Sequence, residues 1–189
     1  KIRKLDKIQS TVFFPPFFVE ACKSIAGFYS TKIGAVINTV ISNLILENVG
    51  KIAPPLPPQA SFEITSNTNV LKTNQIFAIQ GDDTDRISSW RSLIRQEFAN
   101  KRSVAIYLPT IEDGNLLFSA LEKGIEGYIF CLNNNLSSKK FTSTWKTISE
   151  TDHPVVVITT GSFSLLPRAD IKTVIIEKEN GRGWISQKS

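Results

Sequence analysis

Pro154-Val155-Val156-Val157-Ile158-Thr159 is the stretch that decides the fold. A strand with one face in water alternates apolar and polar residues; a run that is apolar on both faces belongs to a strand covered on both sides. Working outward, the same kind of run recurs at Thr173–Ile176, Tyr128–Leu132 and Ser103–Leu108, the last stopped by Pro109, and in shorter form at Ile76–Gln80. Between these runs the apolar residues follow helical spacing. Ile87, Trp90, Leu93, Ile94 and Phe98 form one such set, and Leu116–Leu121, closed near Gly124, forms another. Phe141, Trp145 and Ile148 form the third, with Ser137 or Ser138 as N-cap. Apolar strands alternating with helices predict an α/β fold: a parallel sheet with helices on both faces.

Upstream the pattern changes. Residues 1–52 read as a small helical segment. Pro15 and Pro16 open one helix along Phe17, Phe18, Ala21, Cys22, Ile25, Ala26 and Tyr29. A second apolar stripe runs Ile33, Val36, Ile37, Val40, Ile41, Leu44, Ile45 and ends before Gly50. Two such helices bury little alone, so the segment is expected to dock elsewhere. Ala53-Pro54-Pro55-Leu56-Pro57-Pro58 marks a proline-rich linker over residues 53–61, read either as a spacer or as a proline-motif ligand. Residues 62–189 then form the α/β lobe.

The chain has 189 residues, 41% hydrophobic and 21% charged, enough for one packed domain and an appendage. The most apolar stretch, Ile33 to Val49, is broken by Asn38, Ser42, Asn43 and Glu47, so no membrane span is expected. No signal peptide is visible. Cys22 and Cys131 lack metal-ligand spacing and read as reduced thiols, which fits a cytoplasmic protein. Net charge is +5, compatible with a nucleic-acid partner. The chain contains no methionine, so an internal segment of a longer protein is expected.

Leu136-Ser137-Ser138, Trp145, Val156 to Ser162 and Val174 to Asn180, in that order and spacing, resemble motifs of the primosome-assembly DNA helicases that restart replication forks, the primosomal protein N-prime family. Leu136-Ser137-Ser138, then Trp145, then Val156-Val157-Ile158-Thr159-Thr160-Gly161-Ser162, is similar to that family's Leu-Ser, Trp and Val-Ile-Gly-Thr-Arg-Ser series. Leu165 and Pro167 follow, then Val174-Ile175-Ile176-Glu177-Lys178-Glu179-Asn180, where the family has a strand and Asp-Glu-Glu-His. Val104 to Pro109 resembles a strand ending Val-Pro-Glu. Ile25-Ala26, Phe28-Tyr29 and Ile33-Gly34 resemble a segment that precedes the motor. The resemblance implies a RecA-like lobe of P-loop NTPase type, with ATP and Mg2+ as the family's cofactors. It also implies forked or single-stranded DNA and replication-restart proteins as partners.

The residues that ATP chemistry needs are not those found here. After the first apolar run a P-loop needs glycines, a lysine for the phosphates and a Ser/Thr for magnesium. The chain has Gly81-Asp82-Asp83-Thr84-Asp85-Arg86 instead: one glycine, three carboxylates and an arginine. Two readings of the carboxylates stand, a metal cluster or an acidic helix start that complements the dipole. At the family's second acidic motif, Glu177 stands for the aspartate, Lys178 for the glutamate that orients water, and Asn180 for the histidine; Glu179 alone is kept. The expectation is a degenerate lobe with no intact catalytic residue, no metal site and no firmly assigned cofactor. It acts by binding DNA or primosome proteins. An ATP-dependent helicase with a divergent site, in which Arg86 and Glu177 carry phosphate and magnesium, remains an alternative, as does a protein scaffold with no DNA role. Lys139, Lys140, Thr160, Ser162, Arg182 and Trp184 are the candidate DNA contacts. Trp90 and Trp145 sit on helical stripes and read as core, and His153 reads as a surface loop residue.

Overall fold

The computed structural model describes residues 12–55 and 75–184. Residues 1–11 of the helical segment, most of the proline-rich linker and the first part of the expected lobe lie outside the described residues. Three helices come first: α1 (Pro16–Phe28), α2 (Ile33–Val40) and α3 (Asn43–Asn48). Then follow α4 (Asp83–Ala99), β1 (Ser103–Leu108), α5 (Ile111–Leu121), β2 (Ile129–Leu132), α6 (Ser138–Glu150), β3 (Val156–Thr160) and β4 (Ile171–Ile176). A short 3-10 turn spans Arg182–Trp184.

The four strands form one sheet in the order β2-β3-β1-β4, and every pairing is parallel. Ile106 sits opposite Ile158 on one side and Ile175 on the other. The two central strands β1 and β3 are covered on both faces, which is why they are largely apolar, whereas Val174 and Ile176 of β4 stay exposed. On one face Val104, Ile106, Leu108, Val156, Ile158 and Ile175 pack under α4 and α5 with Trp90, Ile94, Leu117 and Leu121. On the other, Ala105, Leu132 and Val157 pack with Phe141, Trp145 and Ile148 of α6 and with Phe18, Cys22, Val36 and Ile45 of the N-terminal helices. The helical segment therefore shares a core with the sheet.

Polar contacts fix that docking. Ser42 Oγ donates to Asn134 Oδ1 at 2.6 Å, and Ser138 Oγ donates to Asn48 Oδ1 at 2.9 Å. The start of the proline-rich stretch is packed too: Ile52 and Pro55 are buried, and Ala53 O accepts from Trp145 Nε1 at 3.0 Å.

Two expectations need correction. The second apolar stripe is not one helix. Ile41 is extended (φ −116, ψ 126) and bridges Phe163 of the sheet layer, and Ser42 then caps α3 by accepting from Leu44 N. A backbone partner at Phe163 outweighs helical continuity there. Ile76–Gln80 is not a strand either. It pairs with none of the four strands, and Ile76, Phe77 and Ile79 are 93%, 76% and 51% exposed. A short apolar run becomes a strand only where an edge receives it.

Candidate functional site

All four strands point the same way, so their C-terminal ends and the turns after them meet at one rim, where open α/β sheets bind ligands. Turn chemistry sets the positions. Thr110 caps α5 by accepting from Asp113 N, Ser137 caps α6 by accepting from Lys140 N, and Asp82 caps α4 by accepting from Asp85 N.

The rim brings together the two places that depart from the ATP-handling pattern. Glu177, directly after β4, is 6% exposed. It accepts from Trp90 Nε1 of α4 and faces Arg86 Nε at 3.4 Å. Arg86 also pairs with Asp83 at 2.7 Å and donates to Gly81 O at 3.2 Å. Burial works against the charged guanidinium, but Asp83 and Glu177 outweigh it and hold Arg86 more firmly protonated.

The next residue, Lys178, has a left-handed backbone (φ 50), a conformation that costs a non-glycine residue about 1 kcal/mol. The turn it starts is closed by Gly181 N donating to Lys178 O at 2.7 Å. Its ammonium bonds Asp113 of α5. That contact, together with Thr110, holds the Asp113 carboxyl below its usual range against the opposing effect of burial. Asp113 and Trp90 were not legible as site residues. One reads as a helix-start acid and the other as core, and only the fold places them against Lys178 and Glu177.

The arrangement does not fit a nucleoside triphosphate with magnesium. Asp82, Asp83 and Asp85 crown the N-terminus of α4, so its dipole faces carboxylates where a polyphosphate would need cations. Arg86 and Lys178 are each paired with an acid, and Glu177 is turned into the protein. Thr84 is exposed on the first turn of α4. Among the described residues no three His, Cys, Asp or Glu gather as a metal site, and no helix is long and apolar enough to cross a membrane.

The DNA candidates lie along the same rim. Lys139 and Lys140 are exposed on the first turn of α6, beyond β2, and Arg182 is exposed beyond β4. With strands spaced about 4.8 Å apart, β2 and β4 lie roughly 14 Å from each other. Thr160 and Ser162 stand between them, 3.2 Å apart at their hydroxyls, and Ser162 accepts from Asn134. Glu179 and Asn180 are exposed in the turn after Lys178. Trp184 is not the free stacking platform expected. It is half-buried against Gly161, and its Nε1 donates to Lys178 O at 2.8 Å.

Gly183 makes this seating of Trp184 possible. A Cβ there would meet Pro109 Cβ at 2.8 Å and Pro109 O at 2.9 Å. Gly183→Ala is therefore expected to push the turn off the β1 end, at a cost of about 1–3 kcal/mol. Tryptophan emission should shift to the red as Trp184 leaves Gly161, and an unchanged spectrum and melting curve would contradict this packing.

No family model, curated protein or solved structure matches the chain.

Proposed function

We propose that this chain is a helicase-like segment of a replication-restart protein. It binds DNA or primosome proteins on a RecA-like lobe that has lost ATP hydrolysis. The all-parallel order β2-β3-β1-β4 with helices on both faces is compatible with such a lobe. The observation that carries the reading is the internal pairing at the end of β4. Arg86 with Glu177 joins the two places where nucleotide chemistry would lie, Lys178 pairs with Asp113 of α5, and each cation there already has a carboxylate partner. Lys139, Lys140 and Arg182 remain exposed on the same rim, with no acid partner among the described residues, and suit sequence-independent phosphate contacts.

Two assays test this. A single-turnover ATPase measurement with forked DNA is expected to give no magnesium-dependent hydrolysis. Hydrolysis that Lys178→Ala abolishes would sink the proposal. Forked-DNA affinity, followed by fluorescence anisotropy, is expected to fall with salt at a log–log slope of about −2, as for three single-strand phosphate contacts. The double variant Lys139→Glu/Lys140→Glu should flatten that slope. A salt-independent affinity would favour a scaffold with no DNA role.

A further inference from the structure

The turn that seats Trp184 also decides which residue can follow Asn180. Lys178 is left-handed, and Gly181 N–H donates back to its carbonyl at 2.7 Å. A Cβ on Gly181 would meet that same oxygen at 2.9 Å and Pro109 Cγ at 3.4 Å, so the turn requires glycine there. Asn180 is exposed, and its side-chain amide bonds no group among the described residues. Of the chain's asparagines, Asn180 alone is followed by glycine.

An asparagine before glycine carries an electrophile and a nucleophile in one short segment. The side-chain Cγ and the next backbone nitrogen can close a succinimide ring, and glycine leaves that nitrogen unhindered and its dihedrals free. The Gly181 nitrogen bonds to Asn180 Cγ, the Cγ–Nδ2 bond breaks, and the proton from Gly181 N leaves with the side-chain nitrogen as ammonia. Water then opens the ring at either carbonyl and gives aspartate or isoaspartate. The closed turn opposes the first step, because the attacking nitrogen is tied to Lys178 O and must leave that bond to reach Cγ. Trp184 adds to the closure. Its Nε1 donates to the same carbonyl at 2.8 Å, and its backbone N–H donates to Gly181 O at 3.1 Å.

We propose that Asn180 is a site of spontaneous deamidation, gated by the turn from Lys178 to Gly181. The product carries a new carboxylate beside Glu179, on an exposed stretch of the rim between Lys178 and Arg182. Asn135 is exposed as well, but it precedes Leu136, whose side chain shields the next nitrogen, so it reacts more slowly. The modification depends on this local chemistry alone and not on what the rim binds.

The test holds the folded protein, and separately the free peptide EKENGRGW-amide (residues 177–184), at physiological temperature and pH. Peptide mapping by mass spectrometry follows each asparagine, and electron-transfer fragmentation separates isoaspartate from aspartate. Asn180 is expected to convert ahead of every other asparagine in the protein, but about tenfold more slowly than in the peptide, the effect of turn bonds of ordinary net strength. Gly183→Ala, which pushes the turn off the β1 end, should close most of that gap. Trp184→Phe, which loses the bond to Lys178 O, should raise the rate about threefold and serves if the alanine variant does not fold. Asn180→Gln should remove the acidic species seen on ion exchange. Conversion led by another asparagine overturns the site. A rate equal to the peptide's, or one that the folded variants do not move, overturns the gate and with it the proposal.

Discussion

Trp145→Ala is expected to destabilise the protein by about 3–5 kcal/mol, the cost of emptying a large aromatic site in a close-packed core. Trp145 is fully buried. Its ring lies 5.5 Å from that of Phe141, and its Nε1 donates to Ala53 O, where the N-terminal helical layer ends. The residue thus joins three things at once: α6, the sheet face under it, and the chain leaving α3. Thermal unfolding should fall by roughly 10 °C for a chain of this size. Trp145→Phe keeps most of the volume and loses the hydrogen bond to Ala53, so its loss should be smaller, about 1–2 kcal/mol. If Trp145→Ala melts within roughly 2 °C of the parent, the helical layer does not rest on this core.

Arg168→Met is the second large effect, about 3 kcal/mol, as for breaking a buried charged network by removing one partner. The guanidinium is almost enclosed. Nε and Nη2 grip Asp170 at 2.7 and 2.5 Å, Nη1 donates to Ile148 O and Thr151 O, and Nη2 donates to His153 O. It ties the end of α6 to the lead-in of β3 and the start of β4. Ser103 Oγ completes the cluster, donating to Asp170 Oδ2 and accepting from Val155 N.

Burial alone would raise the Asp170 carboxyl, but the bonds from Arg168 and Ser103 outweigh it and leave it below its usual value. A carboxylate lowered on folding contributes stability above the unfolded value, near pH 4, and that stability is lost as pH falls through the folded value. The parent should therefore lose more stability than Arg168→Met between pH 7 and pH 3. Urea midpoints at both pH values measure this, and an equal gap at the two would remove Asp170 from the account.

Much of the lobe was legible in the sequence. The runs at Ser103–Leu108 and Pro154–Thr159 lie on strands buried on both faces, Tyr128–Leu132 marks the half-buried edge strand β2, and Thr173–Ile176 marks the fourth, where Val174 and Ile176 stay exposed. Ser137 is the cap of α6, and Trp90 and Trp145 are core residues. These readings depend on periodicity and local capping, which the chain carries within each element. Ile76–Gln80 failed because its apolar content is the same whether or not a neighbouring edge receives it. The candidate site was half legible. Gly81–Arg86 and Glu177–Asn180 could be singled out as departures from an ATP-handling pattern, but their own partners could not. Trp90 and Asp113 are 87 and 65 residues from the groups they bind.

The sequence by itself determined the alternation of apolar strands and amphipathic helices, and so an α/β chain with a parallel sheet. It also placed three aspartates and an arginine, with no lysine, between Gly81 and Ile87, and a lysine directly after Glu177. Only the tertiary structure decided three further things. It fused the helical segment into the sheet's second core, it tied Arg86 to Glu177 and Lys178 to Asp113, and it left the side chains of Val174 and Ile176 exposed. The reason is physical. Propensity and capping act over a few residues, whereas ion pairing, shared burial and strand pairing depend on which distant groups the closed fold brings within a few ångströms.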